Sequence, residues 1–181
     1  MKITQIKFYG GSRDKIARLG LAHLFLELLE ILMHTRILLK EEKDANGAAA
    51  VRKAIDDAFV KAGEWENTKT GGVDWAKRIR YNQSIVARIG VEVQVSARSD
   101  LIVRDLVHLR TRLQDGDVDI GVVVVPDDRM EVFLPDRCPK FSDAVRYVEQ
   151  EFTEAMKWPI VILALEHDGP GRALKKQPRK R

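Results

Sequence analysis

The chain has 181 residues, 45% apolar and 32% charged, with a net charge of +4. That length suits one domain with a sizeable core, and no run approaches the ~18 apolar residues of a membrane span. The lone Cys138 excludes an intramolecular disulfide and a zinc–thiolate cluster. With no apolar leader at the start, a cytoplasmic protein is expected.

The elements follow in order. "KITQIKFY" alternates as a first strand and ends at Gly10-Gly11. Ser12 is placed to cap a helix starting at Arg13. "LGLAHLFLELLEILMHTRILL", residues 19–39, predicts one long, mostly apolar helix. "DANGAAAVRKAIDDAFVKAG" predicts another, with Ala54, Ile55, Ala58, Phe59 and Ala62 on one stripe and Gly63 as its stop. "VDWAKRIRY" and "SIVARIGVEVQVS" form a hairpin through Asn82-Gln83. "SDLIVRDLVHLRTRLQ" is a helix capped by Ser99 or Asp100. "IGVVVVP" is apolar enough for a central strand covered on both faces. "MEVFLP" is a short strand, "SDAVRYVEQEFTEAM" a helix capped by Ser142, and "WPIVILALEH" a last buried strand. The order predicts an α/β protein: a mixed β-sheet flanked by helices, with added N-terminal helices. Residues 1–170 form one domain.

Charge is uneven. "GRALKKQPRKR", residues 171–181, holds Arg172, Lys175, Lys176, Arg179, Lys180 and Arg181 and no acid, while the rest is slightly acidic. A disordered basic tail is expected, and Lys175, Lys176 and Arg179 suit phosphates without regard to base sequence.

The hairpin carries the chemistry. With paired residues summing to 166, Asp74 lies opposite Glu92. Asp74, Ala76, Arg78, Arg80, Glu92 and Gln94 share a polar face, and Trp75, Ile79, Ile89, Val91 and Val93 an apolar one. Lys77 breaks the apolar face. A one-residue slip would move Asp74 to the wrong side. Opposed carboxylates destabilise a sheet, and a divalent cation removes the conflict. Hard oxygens on neighbouring strands suit Mg²⁺, which also bridges to phosphate. Arg78, Arg80 and Arg88 lie along the same face, and Arg98 just past the strand, as candidate phosphate contacts.

Asp74 followed 18 residues later by Glu92-Val93-Gln94 resembles the D…(D/E)-x-K signature of the PD-(D/E)XK nuclease superfamily. "IGVEVQVSARSDLIVRDLVHLRTRLQDGDVDIGVVVVP" is similar to the core of the BamHI/BglII-like type II restriction endonucleases, with "AIDDAFVKAGEW" similar to the helix before the catalytic Asp. The resemblance implies a restriction-endonuclease-like core over residues 50–135. It assigns Asp74, Glu92 and the Val93 carbonyl as Mg²⁺ ligands and Gln94 as the third catalytic position. Asp56 or Asp57 would be an additional acid. It implies a homodimeric endodeoxyribonuclease acting on double-stranded DNA in restriction–modification, leaving a 5′-phosphate and a 3′-hydroxyl. The apolar run Leu19–Leu39 is the expected dimer element. Gln94 stands where the superfamily has Lys, which leaves the general base unassigned. It also motivates an alternative reading as a catalytically inactive DNA-binding protein; a nuclease for RNA or branched DNA is a third. Asp105 reads as a structural anchor, and the three tryptophans as core.

Overall fold

The computed structural model of the chain describes residues 1–68 and 72–176. Its centre is a five-stranded mixed sheet of β1 (Lys2–Phe8), β3 (Trp75–Tyr81), β4 (Ser84–Val93), β5 (Ile120–Pro126) and β6 (Ile160–Glu166), in the order β1-β6-β5-β4-β3. The three middle strands run parallel and the two edge strands antiparallel to them. A second, two-stranded sheet pairs β2 (Leu38–Leu39) with β7 (Gly169–Pro170).

Strand parity divides the core in two. Ile89, Val91 and Val93 of β4, with Val122 and Val124 of β5, pack on α1 (Ser12–Arg18), α2 (Ala22–His34) and α3 (Ala48–Ala62). Val123 and Val125 pack the other way, on α4 (Leu101–Gln114) and α5 (Phe141–Arg146). Every residue of β5 is buried, as a doubly covered strand requires. The three-layer α/β architecture expected from the sequence is present, and no helix among the described residues is long and apolar enough to cross a membrane.

Several local expectations are corrected. The run 19–39 is not one helix: α1 ends at Arg18, Gly20 takes a left-handed φ of 66°, and α2 stops at His34 before β2. Ser12 lies inside α1 and donates its hydroxyl to the Ile160 carbonyl instead of capping. Gly11 holds the cap position. "MEVFLP" contains no strand; its start closes a short 3₁₀ turn, Asp128–Met130. The helix expected from Ser142 begins at Phe141 and gives way to a π turn and a 3₁₀ turn after Arg146. Ser142 uses its N–H and hydroxyl on Asp128. Asp100 occupies the N-cap of α4 without a capping bond and pairs with Arg98.

The hairpin register holds from Trp75↔Val91 to Ile79↔Ala87, all summing to 166. Nearer the turn it shifts, because Asn82 and Gln83 form a two-residue turn with φ of 46° and 67° and Val86 is left as a bulge. Lys77, the cation on the apolar face, is neutralised by Glu27 at 2.7 Å and Glu64 at 2.6 Å.

The first tail residues run against the loop that enters α3. Leu174 donates to the side chain of Asn46 and accepts from Gly47, and Lys176 pairs with Asp44. Asn46 is fully buried and also bonds Lys40 and Phe133, so one amide ties three segments together. Arg179, Lys180 and Arg181 lie outside the described residues.

Candidate active site

The site forms where β3 starts late. Gln94 donates its backbone N–H to Val124 of β5, so the Val93 peptide groups point toward the β3 side. The ladder would present residue 73 there, but β3 begins only at Trp75. Side chains take over: Asp74 Oδ2 accepts from Val93 N–H at 2.8 Å, and Arg52 Nη1 donates to the Val93 carbonyl. The end of β4 is thereby opened to side-chain chemistry while both of its peptide groups stay satisfied.

Glu92 and Gln94 are 4% and 3% exposed. At this end the polar face of β4 is therefore no solvated surface; α4 covers it. Glu92 lies close enough to Asp74 to feel its charge. Burial, the Asp74 charge and the charge of Asp105 together push the Glu92 carboxyl up to about 10. His108 Nδ1 stands 3.2 Å from Glu92 Oε1. Asp105, buried on the core side of α4, is pushed up to about 6, first by burial and then by Asp74. Arg104 pairs with it at 3.6 Å. These groups line a cleft of about 1290 Å³ that also holds Asp56, Lys53, Ser96 and Lys176.

Among the described residues, no group of three or more His, Cys, Asp or Glu is arranged to hold a metal. The donor set is two carboxylates and one backbone carbonyl, all hard oxygens, and the repulsion between buried Glu92 and half-buried Asp74 is what a small divalent cation relieves. The residues fit Mg²⁺, which takes few protein ligands and keeps water and phosphate for the rest.

Asp74, Glu92 and Gln94 thus line one cleft, as the hairpin parity expects, and the Val93 backbone that the resemblance adds bonds Asp74 beside them. The Gln94 amide is oriented by donating to Ser96 Oγ at 2.9 Å. Asp56 lines the cleft, bound by Arg52 and by Trp75 Nε1 at 2.9 Å. Asp57 is exposed, paired with Lys53, and does not line it. Arg78 and Arg88 stand directly opposite one another and, with Arg112, line a second cleft of about 450 Å³. Gly72 borders both clefts. Arg80 is exposed nearer the turn, and Arg98, exposed and paired with Asp100, lies beside the larger cleft without lining it. Lys175 is exposed on the docked segment.

Three neighbours of the site are not evident from strand parity. Arg52 and His108 come from helices on opposite sheet faces. Asp105 left one signal: it interrupts the apolar stripe Ile102, Leu106, Leu109, Leu113 of α4.

The family model described as "Restriction endonuclease BglII/BglIII" matches residues 15–165, which include every one of these groups except the tail lysines. No curated protein matches the chain.

Proposed function

Because the chain belongs to the BglII/BglIII restriction endonuclease family, and is with it a restriction-type DNA nuclease, we propose that it is a Mg²⁺-dependent type II enzyme hydrolysing phosphodiesters of double-stranded DNA. The observation that carries this reading is the pair of carboxyls, Glu92 buried and Asp74 half-buried, beside the Val93 carbonyl at the open end of β4 and facing the cleft. A bound Mg²⁺ would supply a more acidic water and stabilise charge on the phosphoryl oxygen. The chain's own residues do the positioning. The Val93 N–H fixes one Asp74 oxygen, so the other is presented beside the Val93 carbonyl. His108 limits the rotation of the Glu92 carboxyl. Gln94, its amide held by Ser96, orients the attacking water for in-line displacement. Water adds to phosphorus, the P–O3′ bond breaks, and the products are a 5′-phosphate and a 3′-hydroxyl.

DNA phosphates flanking the scissile one are assigned to Arg78 and Arg88, which line the second cleft from opposite strands; Arg78 would exchange its pairing with Glu66 for a phosphate. Arg80, Arg98, Lys175, Lys176 and Arg179 add weaker, sequence-independent attraction. A homodimer brings two such sites to two strands. With residues 19–39 broken at Gly20, the dimer surface falls instead on the apolar side chains α2 leaves exposed, Leu26 and Met33.

A second reading, DNA binding without cleavage, is favoured by Gln94, which offers no proton-accepting amine. Incubation of supercoiled plasmid and an oligonucleotide panel with Mg²⁺, Mn²⁺ or EDTA separates the two. Cutting that needs the cation and is lost in Glu92→Ala supports the nuclease; discrete bands add sequence specificity. Salt-sensitive binding with no cutting on any substrate supports the second reading.

A further inference from the structure

Arg52 occupies the centre of the proposed cation site. Its Nη2 lies 2.9 Å from Asp74 Oδ1, its Nη1 donates to the Val93 carbonyl, and its Nε lies 2.9 Å from Asp56 Oδ2. The first two oxygens are those assigned to Mg²⁺. Asp56 is anchored independently by the Trp75 indole, whose ring stacks on Phe59 at 5.0 Å in the core. The guanidinium is therefore tethered at its Nε end by a fixed carboxylate, while its two terminal nitrogens lie on the ligands.

A Mg²⁺ ion sits ~2.1 Å from its oxygens. An ion on Asp74 Oδ1 and an Nη2 at 2.9 Å from the same atom would be at most about 5 Å apart, too close for two cations in a half-buried site. One must yield, and the room exists, because Arg52 lines the large cleft and keeps a quarter of its side chain exposed.

We propose that Arg52 competes with the divalent cation for Asp74 and the Val93 carbonyl, and that on cation binding it turns about its Asp56 tether to hold a non-bridging oxygen of the scissile phosphate. This rests on the cation-site reading above and extends it. Arg52 becomes a catalytic residue for phosphodiester substrates, and Asp56 the positioning residue that aims it, not a metal ligand. The planar fork suits both duties, since it matches a carboxylate–carbonyl pair and a phosphate equally well. Until the cation arrives, the same contacts keep two oxygen ligands at the spacing that their mutual repulsion would otherwise disturb.

The test is calorimetric titration of Mn²⁺ into DNA-free protein, with single-turnover DNA cleavage measured alongside. Arg52→Gln is expected to bind Mn²⁺ at least about tenfold more tightly, since the ion need not displace the two charge-assisted hydrogen bonds to Asp74 and the Val93 carbonyl. Its cleavage rate at saturating Mn²⁺ is expected to fall about 10²-fold, the usual cost of one lost oxyanion donor. A merely structural arginine would weaken both, so unchanged or weaker Mn²⁺ binding by Arg52→Gln overturns the proposal. Should that variant not fold, the Arg52 Nε–H resonance of the wild-type protein, assigned with Arg52→Lys, provides the second readout. A shift on addition of Ca²⁺ supports the proposal, and a signal unmoved at saturating Ca²⁺ overturns it. If wild type binds no Mn²⁺ at all, the cation-site reading itself fails, and this inference with it.

Discussion

Glu92→Gln should make the protein more stable in EDTA while abolishing its activity. Glu92 is 4% exposed, and its carboxyl is pushed from an ordinary value near 4.5 up to about 10, chiefly by burial and then by Asp74. A carboxyl raised in this way contributes stability that is fully present below its unfolded value and is lost as pH rises toward the folded one. At pH 7.5, about three pH units above the unfolded value, the folded state is penalised by up to ~4 kcal/mol. The amide keeps the cost of burying a polar side chain, so Glu92→Gln should recover about half, roughly 2 kcal/mol. For a domain of this size that is a rise in Tm of about 4–8 °C. The assay is thermal and urea unfolding of wild type and Glu92→Gln in EDTA, from pH 4 to 9. The curves should meet near pH 4 and diverge steadily above pH 5, with wild type the less stable, and adding Mg²⁺ should narrow the gap. A variant less stable than wild type at pH 7.5, or a gap independent of pH, would refute the reasoning.

Asp105, pushed up to about 6 from 3.8, gives a narrower window: wild-type stability in EDTA should fall between pH 4 and 6 by an amount that Asp105→Asn removes, up to ~3 kcal/mol, read from urea midpoints. Gly90→Ala should cost about 1–3 kcal/mol, because a Cβ there would stand 2.8 Å from Val118 Cγ1 and 3.1 Å from Val73 Cγ2; chemical denaturation gives the loss, and displaced Val73 should also slow cleavage through Asp74. Deleting residues 177–181 should weaken binding to all DNA sequences alike and reduce the salt slope of log K by roughly 2–3, measured by fluorescence anisotropy at several salt concentrations.

Strands and hairpin were the legible part of the sequence because their period is two and the faces differ sharply. Ile89, Val91 and Val93 against Glu92 and Gln94 leave only one register that buries the first set. The same parity brought Asp74 to Glu92. Residues 19–39 misled because a mostly apolar run hides two breaks: Leu19, Leu21 and Leu39 are apolar for reasons of core packing, Gly20 marks the first break, and Thr35-Arg36 the second, between α2 and β2. The polar strand face could not be recognised as buried from β4 itself. Its cover is α4, and the decision between solvated surface and buried centre depends on Asp105 and His108, which lie 13 and 16 residues from Glu92 in sequence. Arg52 was hidden for a related reason. Its i, i+4 partner Asp56 makes it look like an ordinary helix-surface ion pair, and nothing local reveals that α3 reaches over the end of β4.

The central claim, that Asp74 and Glu92 make a cation site for DNA cleavage, is tested most directly by single-turnover cleavage with Asp74→Asn, with DNA affinity measured on the same preparation. The account predicts DNA binding close to wild type and Mg²⁺-dependent cleavage slowed at least ~10³-fold. Cleavage by Asp74→Asn at a rate near wild type, or wild-type cleavage that persists in EDTA, would contradict it.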